Sequence, residues 1–217
     1  MLSKSRIIGF LEEKDEARIN ALLRSADAVR KKYVGDAIHL RALIEFSNHC
    51  RRNCLYCGLR KSNLKVPRYR MSPPEVFAQA AASAAMGFRT VVLQSGEDPG
   101  CTIPEICSLV RDIKEKLGVA VTLSIGERTR DEYLRLREAG TDRYLLRFET
   151  SDPRLFQALK PDSDYGRRLR CLEWLRETGF QVGSGNMVGL PGQTLETLAD
   201  DILKLRDLDL DMIGLGP

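Results

Sequence analysis

Histidine is nearly absent from this chain: of 217 residues only His39 and His49 carry an imidazole, so acid–base chemistry built on that group has almost no candidates. No apolar run approaches the ~20 residues that span a bilayer, and no secretory signal opens the sequence. A membrane partner is therefore not expected, and the compartment expected is the cytoplasm. The 34 basic and 30 acidic residues leave a net charge of only +4, spread along the chain, which gives a nucleic-acid partner little support. With 43% hydrophobic residues and no bias toward disorder, the composition is that of a soluble globular unit with a sizeable core.

Cysteine, in contrast, is concentrated. Three of the six fall within eight residues, in Cys50-Arg51-Arg52-Asn53-Cys54-Leu55-Tyr56-Cys57-Gly58, just past the strand-like run Ala42-Leu43-Ile44-Glu45-Phe46. Iron–sulfur clusters are held by cysteine thiolates, usually four. Three would leave one iron of a four-iron cluster without a protein ligand, and an open coordination position is what separates a catalytic metal site from a closed structural one. The competing reading is a zinc centre completed by His49 or a distant residue, although zinc ligands generally come as two separated pairs. A disulfide would leave one of the three thiols unpaired, in a chain without a sign of an oxidising compartment.

Residues 3 to 33 show apolar positions at helical spacing among charges, which predicts two helices in an N-terminal extension over residues 1–35. Ile38 to Phe46 predicts the first strand. Three capping boxes follow, at Ser72-Pro73-Pro74-Glu75, Thr102-Ile103-Pro104-Glu105 and Thr129-Arg130-Asp131-Glu132. A further helix is expected from about Asp164, and Gly87, Gly118, Gly140 and Gly179 read as the matching stops. Short apolar runs come after them: Thr90-Leu93, Val119-Leu123, Tyr144-Leu146, Gln181-Val182 leading on to Met187-Val188, and finally Met212-Leu215.

Six strands alternating with five connecting helices predict an α/β fold with a parallel sheet and right-handed crossovers. Over residues 36–217 this is the pattern of a (β/α) TIM-type barrel, expected to be truncated after strand six of eight, since a closed barrel takes eight units. An open doubly wound sheet is the alternative, but the loop after strand one lacks the glycine fingerprint for a dinucleotide.

In either architecture ligands sit at the carboxyl ends of the strands. Those ends carry the cysteine loop, Gln94-Ser95-Gly96-Glu97-Asp98-Pro99, Ser124-Ile125-Gly126-Glu127, Arg147-Phe148-Glu149-Thr150, and the glycine-rich Gly183 to Thr194. Each alone reads as a turn, a register pair or a capped loop. Their convergence on the edge that holds three cysteines points to a cofactor site. The most basic stretch, Arg51-Arg52 and Arg60-Lys61 through Arg70, is either a solvated face or a complement to an anionic ligand.

The cysteine spacing, with an aromatic directly before the last, resembles the signature of the radical S-adenosylmethionine (SAM) enzymes. With Ile44-Glu45-Phe46-Ser47-Asn48, Cys54-Leu55-Tyr56-Cys57-Gly58-Leu59-Arg60, Leu93-Gln94-Ser95-Gly96-Glu97-Asp98-Pro99, Arg143-Tyr144-Leu145-Leu146-Arg147 and Met187-Val188-Gly189-Leu190-Pro191-Gly192-Gln193-Thr194, residues 36 to 217 are similar to the biotin synthase-like branch, and within it most similar to the iron–iron hydrogenase maturases. The resemblance implies that Cys50, Cys54 and Cys57 hold a 4Fe-4S cluster whose open iron binds SAM, with Tyr56 against the adenine. It places Gly96 and Glu97 near the SAM amino group, Ser124 and Glu149 on its amino-acid and ribose parts, and Arg168 on its carboxylate. Gly185, Met187 and Gly189 would line the adenine pocket.

The chemistry implied is reductive cleavage of SAM to methionine and a 5′-deoxyadenosyl radical. The partners implied are a small-molecule or small iron-complex substrate, an electron donor such as a ferredoxin or flavodoxin, and other hydrogenase maturation proteins. Arg143 and Arg147 are the candidates for holding an anionic substrate, or else pair with Glu149. One position departs from the pattern: Phe148 stands where some maturases carry an imidazole, so a methylornithine synthase-like activity is the nearest competitor. A zinc-stabilised binding module is the competitor of another class. Cys107 and Cys171 read as small core residues and Cys101 as a surface thiol.

Overall fold

Six apolar runs become the strands of one parallel sheet in the computed structural model, which describes residues 2–217: β1 (Ala42–Ser47), β2 (Thr90–Ser95), β3 (Ala120–Ser124), β4 (Arg143–Leu145), β5 (Gln181–Met187) and β6 (Met212–Gly216). They lie side by side in chain order, every neighbouring pair parallel. Consecutive order without a reversal is the barrel arrangement, and it excludes the doubly wound alternative, in which the order reverses at a switch point. β1 and β6 each have one neighbour, so the sheet is a partial barrel.

The helices follow the predicted grammar. α1 (Lys4–Glu12) and α2 (Glu16–Val34) precede the sheet. The connecting helices are α3 (Pro73–Ala85), α4 (Ile103–Leu117), α5 (Arg130–Glu138), α6 (Pro153–Leu159), α7 (Tyr165–Glu177) and α8 (Leu195–Asp207). The capping boxes close as expected: the Glu105 carboxylate accepts the Thr102 N–H at 3.0 Å, and Glu132 accepts the Thr129 N–H at 2.7 Å. Gly118 ends α4 in the left-handed region, at φ 64°.

Two expectations fail. β1 begins at Ala42, not Ile38; Ile38 and Leu40 are exposed, with no neighbouring strand to pair them. α6 was not anticipated, although Asp152 caps it and Pro153 occupies its first turn. Among the described residues no helix is long and apolar enough to cross a membrane.

Alternation along the strands sets two environments. Val91, Leu93, Val121, Leu123, Tyr144, Leu146 and Val182 face the helices and form the core. The intervening positions, among them Gln94, Ser124, Leu145 and Met187, face the inside of the sheet and line a cavity at its carboxyl end. Phe148 belongs to the core set and is fully buried, so an imidazole at that position would point away from the cavity.

Candidate radical SAM site

The loop after β1 is shaped by Arg68, whose guanidinium donates to the carbonyls of Asn48, Leu59, Arg60 and Asn63. Short turns carry Cys54 to Cys57, with the Cys57 N–H on the Cys54 carbonyl at 3.1 Å. At the base of the loop, Asp98 accepts from Ser47 Oγ, the Gly100 N–H and both arms of Arg70. Burial pushes the Asp98 carboxyl up, but the bonds from Arg70 and Ser47 outweigh it and hold it well below the usual range. Gly96 lies against the loop: a Cβ there would stand 2.3 Å from the His49 carbonyl oxygen and 2.7 Å from Cys50 Cβ. Only glycine lets β2 approach the first cysteine so closely.

All six cysteines are free thiols; Cys54 is buried and Cys50 and Cys57 are half-buried. The three loop thiols share one cavity of about 470 Å³ with Tyr56, Glu97, Ser124, Arg147, Glu149, Arg168 and Met187, ten of the residues singled out from sequence. Gln94, Arg52, Gly126 and Lys160 also line it. Sequence reasoning met Arg52 only as part of the basic stretch and assigned no role to the other three; the positions of Gln94 and Gly126 at strand ends were the available signal, whereas nothing local distinguishes Lys160.

Four other candidates do not line this cavity, and Gly96, packed against the cysteine loop, is one of them. Gly185 sits where a Cβ would lie 1.8 Å from the Gly214 carbonyl oxygen, so its bareness serves the β5–β6 pairing. Gly189 is exposed and left-handed, at φ 84°. Arg143 starts β4, four residues before Arg147, or ~13 Å along a strand. It does not line this cavity, and its Nη1 is buried without a hydrogen-bond partner.

Beneath the cavity runs a carboxylate–guanidinium network. Glu97 pairs with Arg52 at 2.6 Å and Arg51 at 3.2 Å, and Glu127 with Arg52 at 3.0 Å and Arg168 at 2.9 Å. Burial pushes the Glu97 carboxyl up, yet the Arg52 and Arg168 charges and the Glu127 N–H leave it below the usual range. Glu97 can seat itself only because Gly126, at φ 80°, has no side chain: a Cβ there would stand 2.0 Å from Glu97 Cγ.

Arg168 is 4% exposed, and its buried Nε makes no hydrogen bond although it lies in the ion pair with Glu127. Glu149 is a non-glycine residue at φ 74°. That strained conformation is held by its N–H on the Gly185 carbonyl at 3.1 Å and its carbonyl on the Met187 N–H at 2.8 Å, and such strain collects at functional sites. Tyr56 is kept protonated by burial, reinforced by the Glu149 charge.

These residues fit a cluster with a bound organic cation. The donor set is three thiols, and among the described residues no three His, Cys, Asp or Glu side chains converge on the position of a single metal ion. The cavity volume lies in the range of small-ligand sites, and its wall offers both the carboxylate of Glu149 and the guanidinium of Arg168 to a zwitterionic ligand.

Three cysteine thiols at the carboxyl edge of a parallel partial barrel define a class, and a model of the radical SAM superfamily matches residues 44–205. The chain belongs to the radical SAM superfamily, whose members use a 4Fe-4S cluster and SAM. It is 54% identical over 197 residues to the [FeFe] hydrogenase maturase subunit HydE of Thermotoga maritima, with 91% of this chain and 56% of that protein covered. It is 29% identical over 226 residues to the biotin synthase of Cyanothece sp., at 99% and 60% coverage. The crystal structure of methylornithine synthase (PylB) superimposes with a TM-score of 0.92 at 25% identity, covering 99% of this chain and 64% of that one. The chain thus spans less than two thirds of the length of each of these relatives.

Proposed function

We propose that this chain is the SAM-cleaving core of an iron–iron hydrogenase maturase of the HydE type. The observation that carries the reading is that Cys50, Cys54 and Cys57 face one cavity together with Glu149 and Arg168, in a chain 54% identical over 197 residues to a HydE protein. When bound, a 4Fe-4S cluster would supply the electron that splits SAM into methionine and a 5′-deoxyadenosyl radical.

The chain's own residues do the rest. The three thiolates would hold the cluster, and the Arg68-braced loop fixes their spacing. Arg168 faces the cavity as the fork for a carboxylate, while Glu149 and Ser124 are acceptors for an ammonium or ribose hydroxyls. Tyr56 and Met187 supply the apolar walls suited to an adenine. Arg147, on the same wall, is the anchor for an anionic substrate, a small molecule or small iron complex.

Residues 46–74 contain seven Lys or Arg and no acid. On their outer face Arg51, Lys61 and Lys65 are exposed around Leu55 and Leu64, the latter 92% exposed. An acidic one-electron carrier of the ferredoxin or flavodoxin type complements this surface and would meet the cluster loop from outside.

The test is anaerobic reconstitution with iron and sulfide, then electron paramagnetic resonance (EPR) of the reduced protein with and without SAM. A reduced 4Fe-4S signal that changes with SAM, with release of methionine and 5′-deoxyadenosine, is expected, and Cys57→Ala should lack both. One tightly held zinc with no iron uptake would establish the binding-module alternative instead. Conversion of lysine to methylornithine would replace the maturase reading by its nearest competitor.

A further inference from the structure

Lys160 is the one charged side chain of the cavity with no part in the site as read so far. It is 3% exposed and lines the cavity with Cys54, Glu149 and Arg168. The ion pairs beneath the cavity join Glu97 and Glu127 to arginines, and none of them uses Lys160. Its ammonium lies 5.5 Å from the centroid of the Phe156 ring on α6.

An ammonium taken out of water costs several kcal/mol unless an anion meets it. The backbone brings Lys160 beside the cysteine loop. The Leu55 N–H donates to the Leu159 carbonyl at 2.8 Å, so the residue before one partner is Cys54 and the residue after the other is Lys160. Both residues line the same cavity. Three thiolates on a four-iron cluster make an assembly of net negative charge, and reduction adds one electron to it. Net charge and its surroundings are among the levers that set the potential of such clusters.

We propose that Lys160 is the counter-cation on the Cys54 side of the cluster and raises its reduction potential. The inference rests on the reading of Cys50, Cys54 and Cys57 as cluster ligands. The step it affects is a one-electron reduction by an external donor, in which the cluster gains the electron and no bond or proton moves. Lys160 is on this account a positioning residue for charge.

The experiment is a potentiometric titration of the reconstituted full chain without SAM, followed by EPR, comparing wild type with Lys160→Arg, Lys160→Met and Lys160→Gln. Iron and sulfide content is measured for each. Both neutral variants are expected to hold a full cluster and to show, at a fixed potential, an oxidised-to-reduced ratio about tenfold higher than wild type, which is ~59 mV for a one-electron couple. Lys160→Arg should stay close to wild type. Neutral variants with a full cluster and an unshifted potential would overturn the inference. A weakened affinity for SAM with the potential unchanged would also overturn it, by making Lys160 a ligand anchor. A wild-type chain that takes up no cluster would defeat the underlying reading along with this one, and is recognisable because it needs no variant.

Discussion

Glu97 and Asp98 are neighbours in sequence with different tasks, and both depend on arginines brought from elsewhere. Glu97 anchors Arg52 beneath the cavity, and Asp98 clamps Arg70 at the base of the cysteine loop. Both carboxyls are held below their ordinary values despite burial. In the acid range the unfolded chain therefore binds more protons than the folded one, and stability rises with pH. The stability these groups contribute is fully present above about pH 4, the ordinary carboxylate range, and is lost as pH falls through their lowered folded values. Thermal melts between pH 7 and pH 2 should show Tm declining below about pH 4, and Asp98→Asn should flatten that decline. An unchanged slope in the variant would remove Asp98 from the account.

At the level of elements, the clearest example is α8, which supplies a carboxylate to segments it does not belong to. Asp201, fully buried, accepts from the Ser151 N–H, Thr150 Oγ1, Gln193 Nε2 and Asn186 Nδ2. It joins the loop after β4, β5 and the glycine-rich loop that follows. Burial pushes its carboxyl up, against these donors. Asp201→Ala strands several buried donors, at about 1–3 kcal/mol for each one left unsatisfied. It also loosens the setting of Glu149, whose backbone bonds to β5 on either side of Asn186. Urea unfolding should show a lowered midpoint, and SAM affinity of the reconstituted protein should fall. Retained affinity at a lowered stability would confine Asp201 to the fold.

Across the whole molecule the charge is nearly balanced, +4 over 217 residues, but the acid-free stretch 46–74 concentrates basic charge beside the cysteines. If this face receives an acidic electron carrier, the rate of cluster reduction by a reduced flavodoxin should fall steeply between 20 and 300 mM salt, that is from about 20 Å to about 6 Å in screening length. Lys61→Glu combined with Lys65→Glu should slow it at least about tenfold at low salt, because rim charges act mainly on association rate. Reduction by dithionite serves as the control. Equal slowing with both reductants would place the effect in the cluster and not at the surface.

Much of this was legible in the chain because it depends on near neighbours. A capping box needs residues three apart, a helix stop needs one glycine, and the cysteine triad needs one loop; these determined the alternation of elements, the barrel class and the position of the candidate cluster loop. α6 is equally local, through Asp152 and Pro153, but it is shorter than the roughly 11 residues over which a helical period stands out in sequence. What tertiary structure decided was which inward-facing groups meet. Arg52 reaches Glu127 across 75 residues, Gly126 makes room for Glu97, and Lys160 comes to line one cavity with Cys54. Those outcomes depend on strand register and on the depth at which each side chain enters the cavity, distances that no spacing within the sequence encodes.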